Sequence, residues 1–268
     1  MTDLLSRVID SRCKFPVFDR SLFGAFSAFE TIAPTIREQI HVGGSLCAIN
    51  DGQFIAGHLA LSTLKVISPK ADFMTVLREP RSRVLSLWLY WRTHSDDQLA
   101  PWGDWAAYVR RAREPLAAFL TCPDIACQTD NLITRMLLWP HPLVPRDNFI
   151  EETNDRALVA AAARVLDHFA FVDTIENPRF HANLQNWIAL PLEYPEINAT
   201  PPVPVDLQSP LEKELRDSTL KLLERRTRLD SQLWSGAMKR LSIQIDVALF
   251  ARNIFVRNIA RFSRLMGG

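Results

Sequence analysis

Arg78 and Ser86 lie eight residues apart in the stretch "DFMTVLREPRSRVLSLWLYWR" from Asp72 to Arg92, and their side chains have the chemistry to hold a phosphate. Phe73 to Leu77 reads as a short apolar strand, and Pro80 stops it while presetting the first turn of a helix. From Arg81 onward, Val84, Leu85, Trp88, Leu89 and Trp91 recur at helical spacing. Arg78 therefore falls at the carboxyl end of a strand, where open α/β sheets bind ligands, and the amino-terminus of the next helix favours anions. A guanidinium matches the planar, doubly accepting face of a phosphate better than an ammonium does, and Ser86 offers a hydroxyl to the same anion. The opposing account is a surface charge and a packed or solvated serine.

The elements that must position these residues alternate. Thr2 to Asp10 and Leu22 to Thr31 read as helices, "GQFIAGH" from Gly52 to His58 as a strand, and Trp102 to Leu120, "NLITRMLLW" and Arg156 to His168 as further helices. The last of these feeds the strand "FAFVDT", so the pattern predicts an α/β fold with a mainly parallel sheet flanked by helices. "NATPPVPVDLQSP" is a loop, and Leu211 to Leu241 returns to helix. Residues 1–241 are expected to form one domain, followed by a helical tail over 242–268.

With 31 Lys and Arg against 30 Asp and Glu, the net charge of +1 argues against bulk capture of nucleic acid, so any anion site must be local. The four cysteines, at 13, 47, 122 and 127, form no CxxC pair and have no histidine at metal spacing, which argues against a metal site. Cys122 and Cys127 are within reach of a bridge or are buried thiols. Asp3, Arg7 and Asp10 interrupt any apolar run at the start, and no 18-residue uncharged stretch occurs, so a soluble, cytoplasmic body is expected.

The segment "FMTVLREPRSRVLSLWLYWR" resembles the part of sulfotransferases that binds the 3′-phosphate of the sulfate donor: an apolar strand, Arg-Asp/Glu-Pro, a second arginine and a serine. "GQFIAGHLALSTL" is similar to the glycine-histidine segment that precedes this motif in heparan-type 2-O-sulfotransferases and their bacterial relatives. "VLDHFAFVDTIENP" looks like the family's helix and Phe-x-Val-Gly-x-x-Glu strand, with Asp173 in place of the glycine. "TRLDSQLWSGAMKRL" is similar to a late helix carrying an aspartate and then a Leu-Tyr pair, here Leu233-Trp234. The resemblance covers about residues 20 to 241 and implies a P-loop-like fold. It maps the 3′-phosphate ligands onto Arg78 and Ser86; Arg83 matches the second arginine, either as a ligand or as half of a structural ion pair.

The family also opens with a strand and a Lys-Thr/Ala-Gly-Thr-type loop, whose amides and lysine grip the 5′-phosphosulfate. No such stretch is found here: "HVGGSL" lacks the lysine, and "MTDLLSRVID" resembles the helix that follows the loop. Start-site choice, truncation and true loss stay open as readings. On this resemblance the chain as written is expected to transfer sulfate slowly or not at all.

The implied reaction moves a sulfuryl group from 3′-phosphoadenylyl sulfate to a hydroxyl of a carbohydrate or glycolipid acceptor, releasing adenosine 3′,5′-bisphosphate without a metal. An alcohol needs a base within hydrogen-bond reach, and His58 is the candidate, on a strand expected beside that of Arg78; the alternative is a packing histidine. The family's second histidine position is Ala56. Trp91 could lie against a sugar or belong to the core, and Arg135 could reach donor or acceptor or form a surface ion pair. Two rival readings are a sulfotransferase-like binding or scaffold protein without catalysis, and a nucleotide kinase-like enzyme, which the missing Gly-x-x-x-x-Gly-Lys-Ser/Thr loop disfavours.

The tail reverses the neutral balance: from Lys239 onward the charge is +5, against −4 for the rest. On a helical wheel Asn253, Arg257, Arg261 and Arg264 gather on one side and Leu249, Val256, Ile259 and Met266 on the other, with Phe255 and Phe262 at the flank. Such a helix suits an anionic membrane surface; its apolar face could instead pack on its own domain or on a second copy in a homodimer.

Overall fold

The computed structural model describes residues 18–42, 55, 57–189, 200–241 and 246–267, in which four short strands make two separate parallel pairs. β1 (Phe18–Asp19) pairs with β2 (Ile40–His41), and β3 (Met74–Leu77) with β4 (Phe171–Thr174). The mainly parallel sheet expected from the sequence is thus seen, among the described residues, as two small pieces within a mixed α/β chain that is mostly helical.

The helices of six residues or more in the described chain are α1 (Leu61–Ile67), α2 (Pro80–Arg92), α3 (Trp105–Arg110), α4 (Leu116–Thr121), α5 (Leu132–Leu138), α6 (Asp155–Leu166), α7 (Phe180–Ile188), α8 (Asp217–Arg240) and α9 (Val247–Leu265). Three expected helices are broken: Leu211 to Leu241 is split into Leu211–Glu214 and α8, with Arg216 extended between them (φ −72°, ψ 161°), and the other two break for local reasons. Pro115, which has no N–H to donate and cannot continue a helix, separates α3 from α4. Over Leu22 to Thr31 only single 3₁₀ turns form, the first ended by Gly24 at φ 57°. A Cβ on Gly24 would also lie 3.1 Å from the Arg146 carbonyl oxygen. The expected helix at Thr2 to Asp10 and most of the "GQFIAGH" strand lie outside the described residues.

The predicted strand, turn and helix around Arg78 are present, with α2 beginning at Pro80. α2 is the hub of the main core: Val84, Leu85, Trp88 and Leu89 are fully buried there against Phe119, Leu223, Phe255 and Phe262. Each such side chain contributes about 1.5–3 kcal/mol through burial. α9 belongs to the same core. Phe255, Phe262 and Met266 join the α2 cluster, and Ile254 packs with Leu77 and Trp234. Leu249 and Val256, placed on the apolar side by the helical wheel, are instead 54% and 58% exposed. No helix among the described residues is long and apolar enough to cross a membrane.

Candidate anion site

The turn between β3 and α2 is closed by its own carboxylate. Glu79, buried at the N-cap, accepts from Ser82 N at 2.8 Å and Ser82 Oγ at 2.6 Å through Oε2, and from Arg81 Nε at 2.7 Å through Oε1. The α2 amides expected to meet an anion are therefore capped from within, which leaves only side chains to meet one there.

Two side chains near the turn remain unspent. Arg78, half-buried at the carboxyl end of β3, donates to no acceptor among the described residues, and neither does the Ser86 hydroxyl. Burial works against the Arg78 charge, Glu176 supports it, and Arg261 on α9 works against it. Arg261 was assigned to the tail by sequence, yet the packing of α9 on α2 brings it within electrostatic reach of Arg78. That packing is fixed by Asn258 Nδ2 donating to Ser82 Oγ at 3.0 Å, by Arg81 Nη2 donating to the Ala251 carbonyl at 3.3 Å, and by Arg81 stacked 4.4 Å above Phe255. Ser86 lies one helical turn after Ser82, and Arg261 about one turn after Asn258. Two like charges within electrostatic reach of each other are a place where an anion would be favoured.

β4, α8 and the β3–α2 turn interlock. Glu176 accepts from Glu79 N at 2.8 Å and from Trp234 Nε1 at 3.1 Å, tying the β4 loop and α8 to the residue after Arg78. Burial pushes the Glu176 carboxyl up, while those bonds and Arg78 pull it down. Asp173 is buried and accepts from Asn177 Nδ2 at 2.8 Å and Asn183 Nδ2 at 2.9 Å, which holds the loop after β4. Asp230 caps α5 by accepting from Ile133 N at 3.0 Å and Thr134 N at 2.9 Å. Burial pushes its carboxyl up, and the Arg83 charge opposes this.

Arg83 is within electrostatic reach of both Arg78 and His58. It donates to the Gln128 carbonyl at 3.3 Å, and its Nε is buried without an acceptor. Burial lowers its pKa, Asp230 raises it, and Arg78 lowers it. His58 is held by its carbonyl, which accepts from Asp19 N at 3.0 Å, and by its ring, stacked on Phe18 at 6.0 Å. Its side chain reaches solvent, yet the surrounding protein lowers its pKa by desolvation and Arg83 adds to that, which keeps the imidazole neutral near pH 7. The expected strand neighbour is different: among the described residues His58 bridges to Phe18 of β1 and not to β3.

The remaining two candidates belong to the interior. Arg135 is neither a ligand arm nor a surface ion pair. It is 5% exposed and donates to the Asp130 carbonyl and carboxylate at 2.7 and 2.9 Å, to the Pro145 carbonyl at 2.7 Å and to the Asn148 carbonyl at 2.8 Å. Trp91 is buried edge-on to Phe119, with ring centroids 5.9 Å apart, and has no open face for a sugar. Burial pushes the Cys127 thiol up to about 12, which leaves it inert. A cavity of about 380 Å³ opens on the other side of Glu79, but its Arg81 and Arg228 are already paired with Glu79 and Asp155.

No protein-family model, no characterised protein and no solved structure matches the chain.

Proposed function

We propose that the chain binds 3′-phosphoadenylyl sulfate and is a sulfotransferase acting on a hydroxyl of a carbohydrate or glycolipid, with Arg78, Ser86 and Arg261 holding the 3′-phosphate. The observation that carries this reading is the Arg78 guanidinium, without a hydrogen-bond acceptor among the described residues at the carboxyl end of β3, where the next residue's N–H is held by Glu176. A guanidinium with its donors unused suits a bidentate anion. The P-loop-like fold is part of the proposal, with both parallel pairs read as pieces of one such sheet.

In the transfer, the acceptor oxygen forms a bond to sulfur as the bond from sulfur to the bridging phosphate oxygen breaks, and adenosine 3′,5′-bisphosphate leaves. The acceptor proton passes to the neutral His58 imidazole, whose lowered pKa keeps it ready to accept. The Arg83 charge helps keep this base neutral and adds to the cationic field around the donor. Metal chemistry is not part of the scheme.

A binding protein of the same fold without catalysis is the second reading, favoured by the placement of His58 in the β1 sheet and not beside β3. Transfer of labelled sulfate from the donor to a panel of sugar and glycolipid acceptors, with calorimetric titration of adenosine 3′,5′-bisphosphate, tests both. Binding with transfer supports the enzyme, binding without transfer supports the second reading, and absence of binding overturns both.

A further inference from the structure

α9 presents two faces, and only one is used by the domain. Ile254, Phe255, Phe262 and Met266 are buried against α2 and α8, while Arg252, Arg257, Arg261 and Arg264 are exposed. None of these four arginines has a carboxylate partner among the described residues, whereas Arg81, Arg110, Arg113, Arg135, Arg225 and Arg228 each hold one. The helix carries no acidic residue from Val247 to Leu265, and Asp246 is spent capping it through Ala248 N and Leu249 N.

On a wheel at 100° per residue, Leu249, Val256 and Ala260 fall near the middle of the solvent arc, with Arg252 on one side and Arg257 and Arg264 on the other. Leu249 and Val256 stay more than half exposed within it. We infer that this solvent face of α9 docks the folded domain onto an anionic lipid surface. The arginines meet headgroup phosphates and carboxylates, and the two aliphatic side chains enter the headgroup boundary. An acidic polymer would answer the arginines equally well but gains nothing from Leu249 and Val256 in their midst, which is why a lipid surface is the better fit. Since no described helix spans a membrane, the contact is peripheral, and it differs from a free amphipathic tail because the large aromatic side chains stay in the core.

Co-sedimentation of the full chain with vesicles of phosphatidylcholine alone, and with about a third phosphatidylserine, tests this inference. The account expects binding to the anionic vesicles only, weakened by 0.5 M salt. The triple variant Arg252→Gln, Arg257→Gln, Arg264→Gln should lose roughly fivefold in partitioning for each arginine, on the order of a hundredfold together. Leu249→Ser with Val256→Ser should weaken binding several-fold with no change in its salt dependence. Circular dichroism melting of each variant checks that the fold persists, which these exposed positions should allow. Failure to sediment with anionic vesicles overturns the inference, as does equal sedimentation with both vesicle types or an undiminished triple variant. Retention on an acidic polysaccharide column without vesicle binding assigns the face to a polymer and equally overturns it.

Discussion

Replacing Arg78 by alanine removes a half-buried cation whose guanidinium makes no hydrogen bond among the described residues. Its guanidinium has no hydrogen-bond acceptor among the described residues, so truncation removes only its electrostatic support of Glu176, which keeps its bonds to Glu79 N and Trp234 Nε1. The expected stability change is within about 0.5 kcal/mol. A charge-assisted bond to the 3′-phosphate is worth about 1.5–3 kcal/mol, so the dissociation constant for adenosine 3′,5′-bisphosphate should rise about 10- to 150-fold. Arg78→Lys should recover part of the loss, because it restores the charge without the paired donors. Arg135→Ala is the contrast: it leaves Asp130 charged in the core and should cost about 3–5 kcal/mol in stability. Isothermal titration calorimetry beside thermal melting reads both quantities. An unchanged affinity in a folded Arg78→Ala protein would refute the assignment.

Smaller effects are expected elsewhere. Ser86→Ala removes a single uncharged donor and should weaken the same ligand less than Arg78→Ala does; a larger loss than Arg78→Ala would reverse the assigned ranking. Arg261→Ala should weaken it several-fold at low salt and less at high salt, whereas an effect indifferent to salt would argue for a packing role. Should transfer be detected, His58→Ala should lower turnover about 10²–10⁴-fold with little change in donor affinity. Because desolvation and Arg83 hold the His58 pKa below its ordinary value, the active neutral form persists as pH falls to about 6.5 and is lost only lower. An acid limb centred above pH 6.5, or one that survives in His58→Ala, would contradict the role.

The local grammar of the chain was legible where one residue decides the backbone. Pro80 marked the start of α2, and the helical spacing of Val84, Leu85, Trp88 and Leu89 marked its buried face. The β3 and β4 strands were readable from their apolar runs, but the break at Pro115 was overlooked because the apolar spacing continues across it. Side-chain partners were far less legible. Nothing in the sequence distinguishes Arg78, which is unspent, from Arg135, whose donors are consumed by carbonyls ten and thirteen residues further on. Glu79 was read as part of a motif and not as the cap of its own helix, although an acidic residue directly before Pro at the first helical position is a usable signal. Arg261 escaped because its role arises from the docking of α9, a tertiary event that a helical wheel cannot supply. The wheel also set the boundary between the two faces of α9 wrongly for Leu249 and Val256, since the core selected Ile254, Phe255 and Phe262 instead.

The central claim is that the Arg78 turn recognises a 3′-phosphate, and comparing adenosine 3′,5′-bisphosphate with adenosine 5′-phosphate and ATP by calorimetry on the full chain tests it most directly. The account predicts that the bisphosphate binds at least about tenfold more tightly than either competitor, and that Arg78→Ala abolishes the difference. Equal affinity for all three, preference for ATP, or no binding of the bisphosphate would contradict it.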